Sequence, residues 1–426
     1  MKPTGDDRAA GRHGRRRRLP VGAVLRFAAV AGPGLVAMMA DADAGSVTTA
    51  AVSGADWGYR LLLLQVLLIP VLYLVQEMTV RLGAHSGRGH ARLIRDYYGS
   101  GWAAVSLCTL FVTNVGALVT EFAGVAGVAG LLGVSPDLGV LVAAAVLAVV
   151  VVTGSYRHAE RVALVLASLL LLYFPAALLA HPSWPAVAAA LVSPHQPLGD
   201  RGYLLLLAAN VGAVVMPWMI FYQQSAVVDK GLGPADVGAA RWDTAVGAAL
   251  TQLVIMAVIV TTAATLHARG IRLESVVQVA VALVPLVGSA AGAVFAVGFV
   301  GSALLGALVV ALATAWAFGE TLGFRHSLDD RLGEAPWFYL TYILGIGVSA
   351  AVVLVPGLPL ARLTVDVEMG NAFTLPLVLG FLLLLVNDRR ILGSRVNGLA
   401  TNVVVWTLGI LMAALGLWAA YGWVGR

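Results

Sequence analysis

The chain has 426 residues, 60% of them hydrophobic and 12% charged, with a mean hydropathy of +0.89. A water-soluble domain of this length cannot hide so much apolar surface, so a polytopic membrane protein is indicated. The net charge of +5 does not point to nucleic acid, because the basic cluster GRHGRRRR at residues 11–18 directly precedes the first apolar run and reads as a cytoplasmic membrane flank.

Apolar stretches long enough to cross a hydrocarbon core of about 30 Å recur along the chain, and strand-type alternation is absent, so the spans are helical. Eleven are predicted, at 24–52, 60–80, 101–132, 137–153, 161–181, 203–228, 243–266, 287–318, 337–356, 369–386 and 399–423. With the N-terminus inside, this arrangement leaves 21 of the 27 Lys and Arg residues on the cytoplasmic side, and a twelfth span would reverse the basic loops that follow it. Residues 275–286 therefore read as an interfacial or loop helix, and the C-terminus as extracytoplasmic. The organisation is a basic tail at 1–23, a core of ten spans at 24–396, and an eleventh span with the C-terminus at 397–426. The single cysteine, Cys108, offers no disulfide or CxxC pair and reads as a small packing residue.

The first and sixth spans are both interrupted. The first carries Asp41-Ala42-Asp43-Ala44-Gly45-Ser46 in its middle, and the sixth carries Met216-Pro217. Five spans apart, two such helices enter the membrane from opposite sides, the signature of a 5+5 inverted repeat with a site near the midplane. Pro217 removes a donor and crowds the carbonyl of Ala213, while Gly45, Asp43 and Ser46 let the first span leave helical geometry, which directs carbonyls such as that of Ala40 into a shared cavity.

Ionised carboxylates at this depth cost at least ~3 kcal/mol each and need a cation or a proton. Asp43 reads as a cation ligand or a helix-capping aspartate. Asp41, two residues earlier, has a secondary or structural role. Met216 reads as a thioether ligand because it faces the first break. Asn114 and Glu121 on the third span are seven residues apart and share a face; Glu121 is a proton-relay candidate or a neutral hydrogen-bonded acid. Asn210, Gln223 and Gln224 read as interhelical hydrogen-bonding residues. In TVDVEMGNAFTLP, Glu368 and Asn371 share a helical face and Asp366 is a solvated end. The histidines fall mainly in loops without ligand spacing and take no metal role. No GxxxxGK[ST], HExxH or GxSxG motif appears in a suitable context, so no ATP-driven pump or hydrolase is indicated, the chain is not read as an enzyme, and no bound cofactor is expected.

The order GPG, apolar run, D-A-G-S, then SGADWGYRLLLLQ resembles the opening of the NRAMP family of divalent metal transporters, whose first span has D-P-G-N after GPG. VVMPWMIFYQQS resembles that family's MPHN segment, GSYRHAERV the entry to its fifth span, and TLPLVLGFLLLLVNDRRILG its tenth. The similarity covers residues 30 to 395. It implies the LeuT-type fold and, position by position, a metal site of Asp43, Ser46 in place of the family asparagine, Met216, and the carbonyls of Ala40 and Ala213. Glu368 stands where the family has a glutamine, Trp218 in place of the histidine of MPHN, and Leu118 in place of an aspartate in D-L-A-E, while Glu121 is kept. Losing the histidine and that aspartate removes groups linked to proton co-transport, as in the NRAMP-related branch that includes magnesium carriers. The thioether suits Mn²⁺ or Fe²⁺ and the added oxygens suit Mg²⁺ or Mn²⁺, so Mn²⁺ ranks first.

The expected function is movement of a divalent ion by alternating access in a cell membrane, with metal ion and lipid as partners and protons as an open second cargo. The rivals are a Na⁺-coupled amino-acid or organic-solute carrier of the same fold, and a transport-inactive metal sensor.

Overall fold

The computed structural model describes residues 30–193, 196–271, 273, 289–358 and 360–424; the tail at 1–23 and the segment 275–286 lie outside them, as does the Asp366 side chain. All regular structure among the described residues is helical. Among the described residues seven helices are long and apolar enough to cross a membrane, and shorter apolar helices cover 136–152, 373–386 and 399–411. With the interrupted first helix these account for the eleven spans.

The first span is two helices, α1 (Pro33–Asp41) and α2 (Ala44–Trp57), parted at Ala42 and Asp43. α3 (Leu62–Ser86) leads through the short amphipathic α4 (His90–Tyr98) into the long α5 (Ser100–Leu131) and α6 (Pro136–Val152). α7 (Tyr156–Leu170) and α8 (Tyr173–Leu179) form the fifth span, and α9 (Trp184–Val192) is a short apolar helix. The sixth span is again two helices, α10 (Arg201–Val214) and α11 (Pro217–Asp229), parted at Val215 and Met216. Then come α12 (Val237–Thr265), α13 (Ser289–Leu322), α14 (Pro336–Val353), α15 (Leu360–Val386), the single turn α16 (Arg389–Leu392) and α17 (Leu399–Val424).

Two of the boundaries that differ from the sequence expectation involve charged residues. α3 continues past residue 80 because its charges are paired inside the protein. Glu77 accepts from Arg241 on α12 at 2.6 and 2.8 Å and pairs with Arg81 at 3.0 Å, while Arg81 donates to the Arg395 carbonyl at 2.7 Å. α15 begins nine residues before the expected 369, so Glu368 lies inside a helix, 2% exposed, rather than at its start. A charge need not end a span when other parts of the protein receive it, as they do for Glu77 and Arg81; Glu368 has no such basic partner among the described residues.

α12 packs along α1, α2 and α3, and α13 along α5, so the two broken helices are held inside a ring of continuous ones. Val112, Val142, Val165 and Ile410 point outward, which suits a lipid-facing surface. Cys108 is exposed on α5 and is not the packing residue expected. Without water, the amides at the start of α1 need an internal acceptor. The Asp243 carboxylate on α12 supplies it, one oxygen accepting from Gly32, Gly34 and Leu35 at 3.1, 2.8 and 3.2 Å. Glu320 at the end of α13 does the same for α4, accepting from Ala91 at 3.0 Å and from the Ser225 hydroxyl at 2.5 Å.

Candidate metal-ion site

The first break is made by two residues. Ala42 leaves helical geometry at φ −80°, ψ 51°, and Asp43 is extended at φ −74°, ψ −178° and caps α2, its Oδ1 accepting from the Ser46 amide at 2.8 Å. In an unbroken helix the Ala44 amide would bond to the Ala40 carbonyl. Here it donates to Glu121 Oε2 on α5 at 3.2 Å, which releases the Ala40 carbonyl.

The second break repeats the arrangement by other means. The residue that would donate to the Ala213 carbonyl is Pro217, which has no N–H, and a residue before proline favours extended backbone. Met216 is extended at φ −90°, ψ 146°. The released Ala213 carbonyl accepts from the Ser46 hydroxyl at 3.3 Å, so the two breaks touch across the bundle.

Four carboxylates gather at the start of α2. A Cβ on Gly306 of α13 would fall 2.8 Å from the Glu121 carboxyl and 3.0 Å from the Asp43 Cβ. A Cβ on Gly45 would fall 2.1 Å from Glu368 Oε1 and 3.4 Å from Asp43 Oδ1. Only glycine lets the backbone approach acidic side chains this closely. Asp41, the last residue of α1, lies within electrostatic range of Asp43 and Glu368. Asp41, Asp43, Glu121 and Glu368 are each at most 2% exposed, and among the described residues no basic side chain forms an ion pair with any of them. Asp41 Oδ1, Glu121 Oε1, Glu368 Oε2 and both amide atoms of Asn371 are buried without a hydrogen-bond partner. The positive end of the α2 dipole offsets part of this charge, and the rest calls for a cation or protons.

Of the residues anticipated from sequence, Asp43, Ser46 and Ala213 are linked by hydrogen bonds, and Glu121 and Glu368 lie against the same break. Met216 sits at the second break with its sulfur accepting from the Trp218 indole N–H at 3.2 Å. Asn371 is buried one turn from Glu368. Asn114 shares the Glu121 face but is engaged elsewhere, donating to Thr314 at 2.8 Å. Asn210, Gln223 and Gln224 make interhelical bonds as expected, to Ser53 and Gln65, to Thr244, and to His90, and Gln224 also donates to the Arg88 carbonyl in the loop before α4. No group of three or more His, Cys, Asp or Glu suited to a metal ion occurs among the described residues.

Several contributors escape sequence reading. Gly306 acts through close approach, as does Gly45 beyond its expected part in the break, and Thr251 donates to the Met38 carbonyl in the last turn of α1. His90 is fully buried in α4 against Gln224 at 3.1 Å, not in a loop. The only available signal for Gly306 is its place in the small-residue run GSALLGAL. A cavity of about 370 Å³ beside Trp57, Tyr59, Arg60 and His267 does not reach the carboxylates.

Two helices broken at matching points, with released carbonyls and unpaired carboxylates facing one another inside the bundle, define a membrane carrier architecture with an inverted repeat. The chain belongs to the Nramp family, natural resistance-associated macrophage protein-like, whose model matches residues 34–422. It is 31% identical to the divalent metal cation transporter MntH of Ralstonia nicotianae, over 93% of this chain and 91% of that protein. Its fold matches a crystal structure of a variant of the Eremococcus coleocola manganese transporter with a TM-score of 0.75 at 18% identity, covering 94% of this chain and 88% of the other. A Na⁺-coupled sialic acid symporter aligns with a TM-score of 0.61 at 11% identity, over 90% and 89% of the two chains. The fold is thus the LeuT type shared by metal and organic-solute carriers.

Proposed function

We propose that this chain is a secondary transporter of a divalent metal ion, Mn²⁺ first, with Mg²⁺ and Fe²⁺ as further cargo, working by alternating access. The observation that carries the reading is the set of four buried carboxylates at the first break without a basic partner among the described residues. In hydrocarbon such a set is tolerated where it meets a cation. Asp43 is the anionic ligand, Ser46 and the carbonyls of Ala40 and Ala213 add neutral oxygen, and Met216 adds sulfur. Asp41 and Asn371 stand behind these groups, and Glu121 and Glu368 are the proton acceptors that remain where Leu118 and Trp218 replace titrating groups. The names of the relatives, a divalent metal cation transporter and a manganese transporter, agree with this cargo. A carrier of organic carboxylates is disfavoured because the same acidic cluster repels its substrate.

Reconstituted in liposomes, the protein is expected to take up Mn²⁺ saturably, with Mg²⁺ and Fe²⁺ competing. Binding without uptake would make it a sensor, and Na⁺-driven uptake of an organic acid would favour the rival carrier. The ten-span core carries this activity and α17 lies beside it. The charge distribution supports a cytoplasmic N-terminus and an extracytoplasmic C-terminus. Alkaline phosphatase fused after Arg426 is accordingly expected to be active and a fluorescent protein at the same point dark; the converse pair would overturn the orientation.

A further inference from the structure

The contact between Trp218 and Met216 bears on which ions the carrier prefers, and its interpretation rests on the divalent-metal reading above. Trp218 is the second residue of α11, directly after Pro217, and is 1% exposed. An indole N–H is a donor only, and a buried one needs an acceptor. Here that acceptor is the Met216 sulfur at 3.2 Å, and Met216 is itself fully buried. A thioether sulfur has two lone pairs and is a weak hydrogen-bond acceptor, so a hydrogen bond to one of them lowers the electron density it can offer a metal. The other groups facing the breaks, the Asp43 carboxylate, the Ser46 hydroxyl and the carbonyls of Ala40 and Ala213, are all oxygen. Oxygen donors suit Mg²⁺ and Mn²⁺, whereas a free thioether suits softer ions such as Cd²⁺.

We infer that Trp218 is a specificity-determining positioning residue: its indole N–H engages the Met216 sulfur and shifts the carrier's preference from thiophilic to oxygen-preferring divalent ions. The sulfur remains in place, and the indole decides how much of it the cargo meets. An ion entering the site either leaves the N–H···S bond intact and relies on oxygen, or breaks it and strands a buried donor. Only an ion with a strong affinity for sulfur recovers that loss.

The test is a double-mutant cycle with Cd²⁺ and Mn²⁺ as probes, read by calorimetry on the purified protein and by competition for uptake in liposomes. Trp218→Phe keeps an aromatic ring and removes the N–H; it is expected to raise the Cd²⁺ over Mn²⁺ affinity ratio by about tenfold. Met216→Ala is expected to cost Cd²⁺ binding about tenfold more in the Trp218→Phe background than in the wild type. Equal costs in the two backgrounds, or an unchanged ratio in Trp218→Phe, would overturn the inference while leaving the metal-carrier reading intact. Loss of all metal binding by the wild type would overturn both. If Trp218→Phe does not fold, the wild-type indole ¹⁵N–H resonance decides the matter. Saturating Mg²⁺ is expected to leave the Trp218 signal in place and Cd²⁺ to shift it; equal shifts with both ions would sink the idea.

Discussion

Asp43→Asn is expected to lower Mn²⁺ affinity on the order of 100-fold, about 3 kcal/mol, and to bring uptake to background. The substitution separates the capping role that the structure shows for this side chain from the cation-binding role proposed above. Asp43 caps α2 through the Ser46 amide at 2.8 Å, and asparagine caps a helix about as well as aspartate. What asparagine lacks is the negative charge. If Asp43 only closed the helix end, Asp43→Asn would transport like the wild type; if it also holds the cargo, the protein folds and stays idle. Thermal stability in detergent should therefore remain close to wild type for Asp43→Asn and fall for Asp43→Ala, which also loses a cap worth about 1 kcal/mol. Uptake by Asp43→Asn within a factor of about two of wild type, an energy change of about 0.4 kcal/mol, would dismiss the carboxylate as a ligand.

Gly45→Ala is expected to reduce uptake by at least about tenfold, although alanine is the better helix former by about 1 kcal/mol. The added methyl would fall 2.1 Å from Glu368 Oε1 and 3.1 Å from its Cδ. Helix propensity predicts a gain and steric exclusion a loss; overpacking typically costs 1–3 kcal/mol, so exclusion wins. Either Glu368 swings away or α2 moves from α15, and both disturb the carboxylates around the break. Shortening the acid in the same background, Gly45→Ala with Glu368→Asp, should restore part of the uptake. Wild-type uptake by Gly45→Ala alone would show that Glu368 and α2 need no close approach.

The spans were legible because their apolar runs are long, and the two breaks because Pro217 and the Asp41 to Ser46 segment violate what a membrane helix tolerates. The family resemblance rests on those same violations, which is why Asp43, Ser46, Met216 and Ala213 could be put forward as candidates from the sequence alone. Other features depend on tertiary neighbours and leave no local trace. Glu368 falls just outside the expected tenth span until α15 is seen to continue around it. Arg81 looks like the end of α3 until Glu77 and Arg395 are seen beside it. Gly306 is one among 48 glycines, and only the carboxylates lying against it mark it out; Gly45 is legible as part of the break, but not as the point of close approach to Glu368. The Trp218 indole reaches a sulfur two residues away because the chain is extended at Met216; that same pair inside a regular helix would point apart.

Asp243 has one further consequence. A single oxygen receives three amides from the first turn of α1, and Lys230 holds the Ala31 carbonyl next to them at 2.7 Å. The three amide bonds share one anchor, so the start of α1 is tied to α12 at a single side chain, and removing that carboxylate would leave all three amides without their acceptor at once.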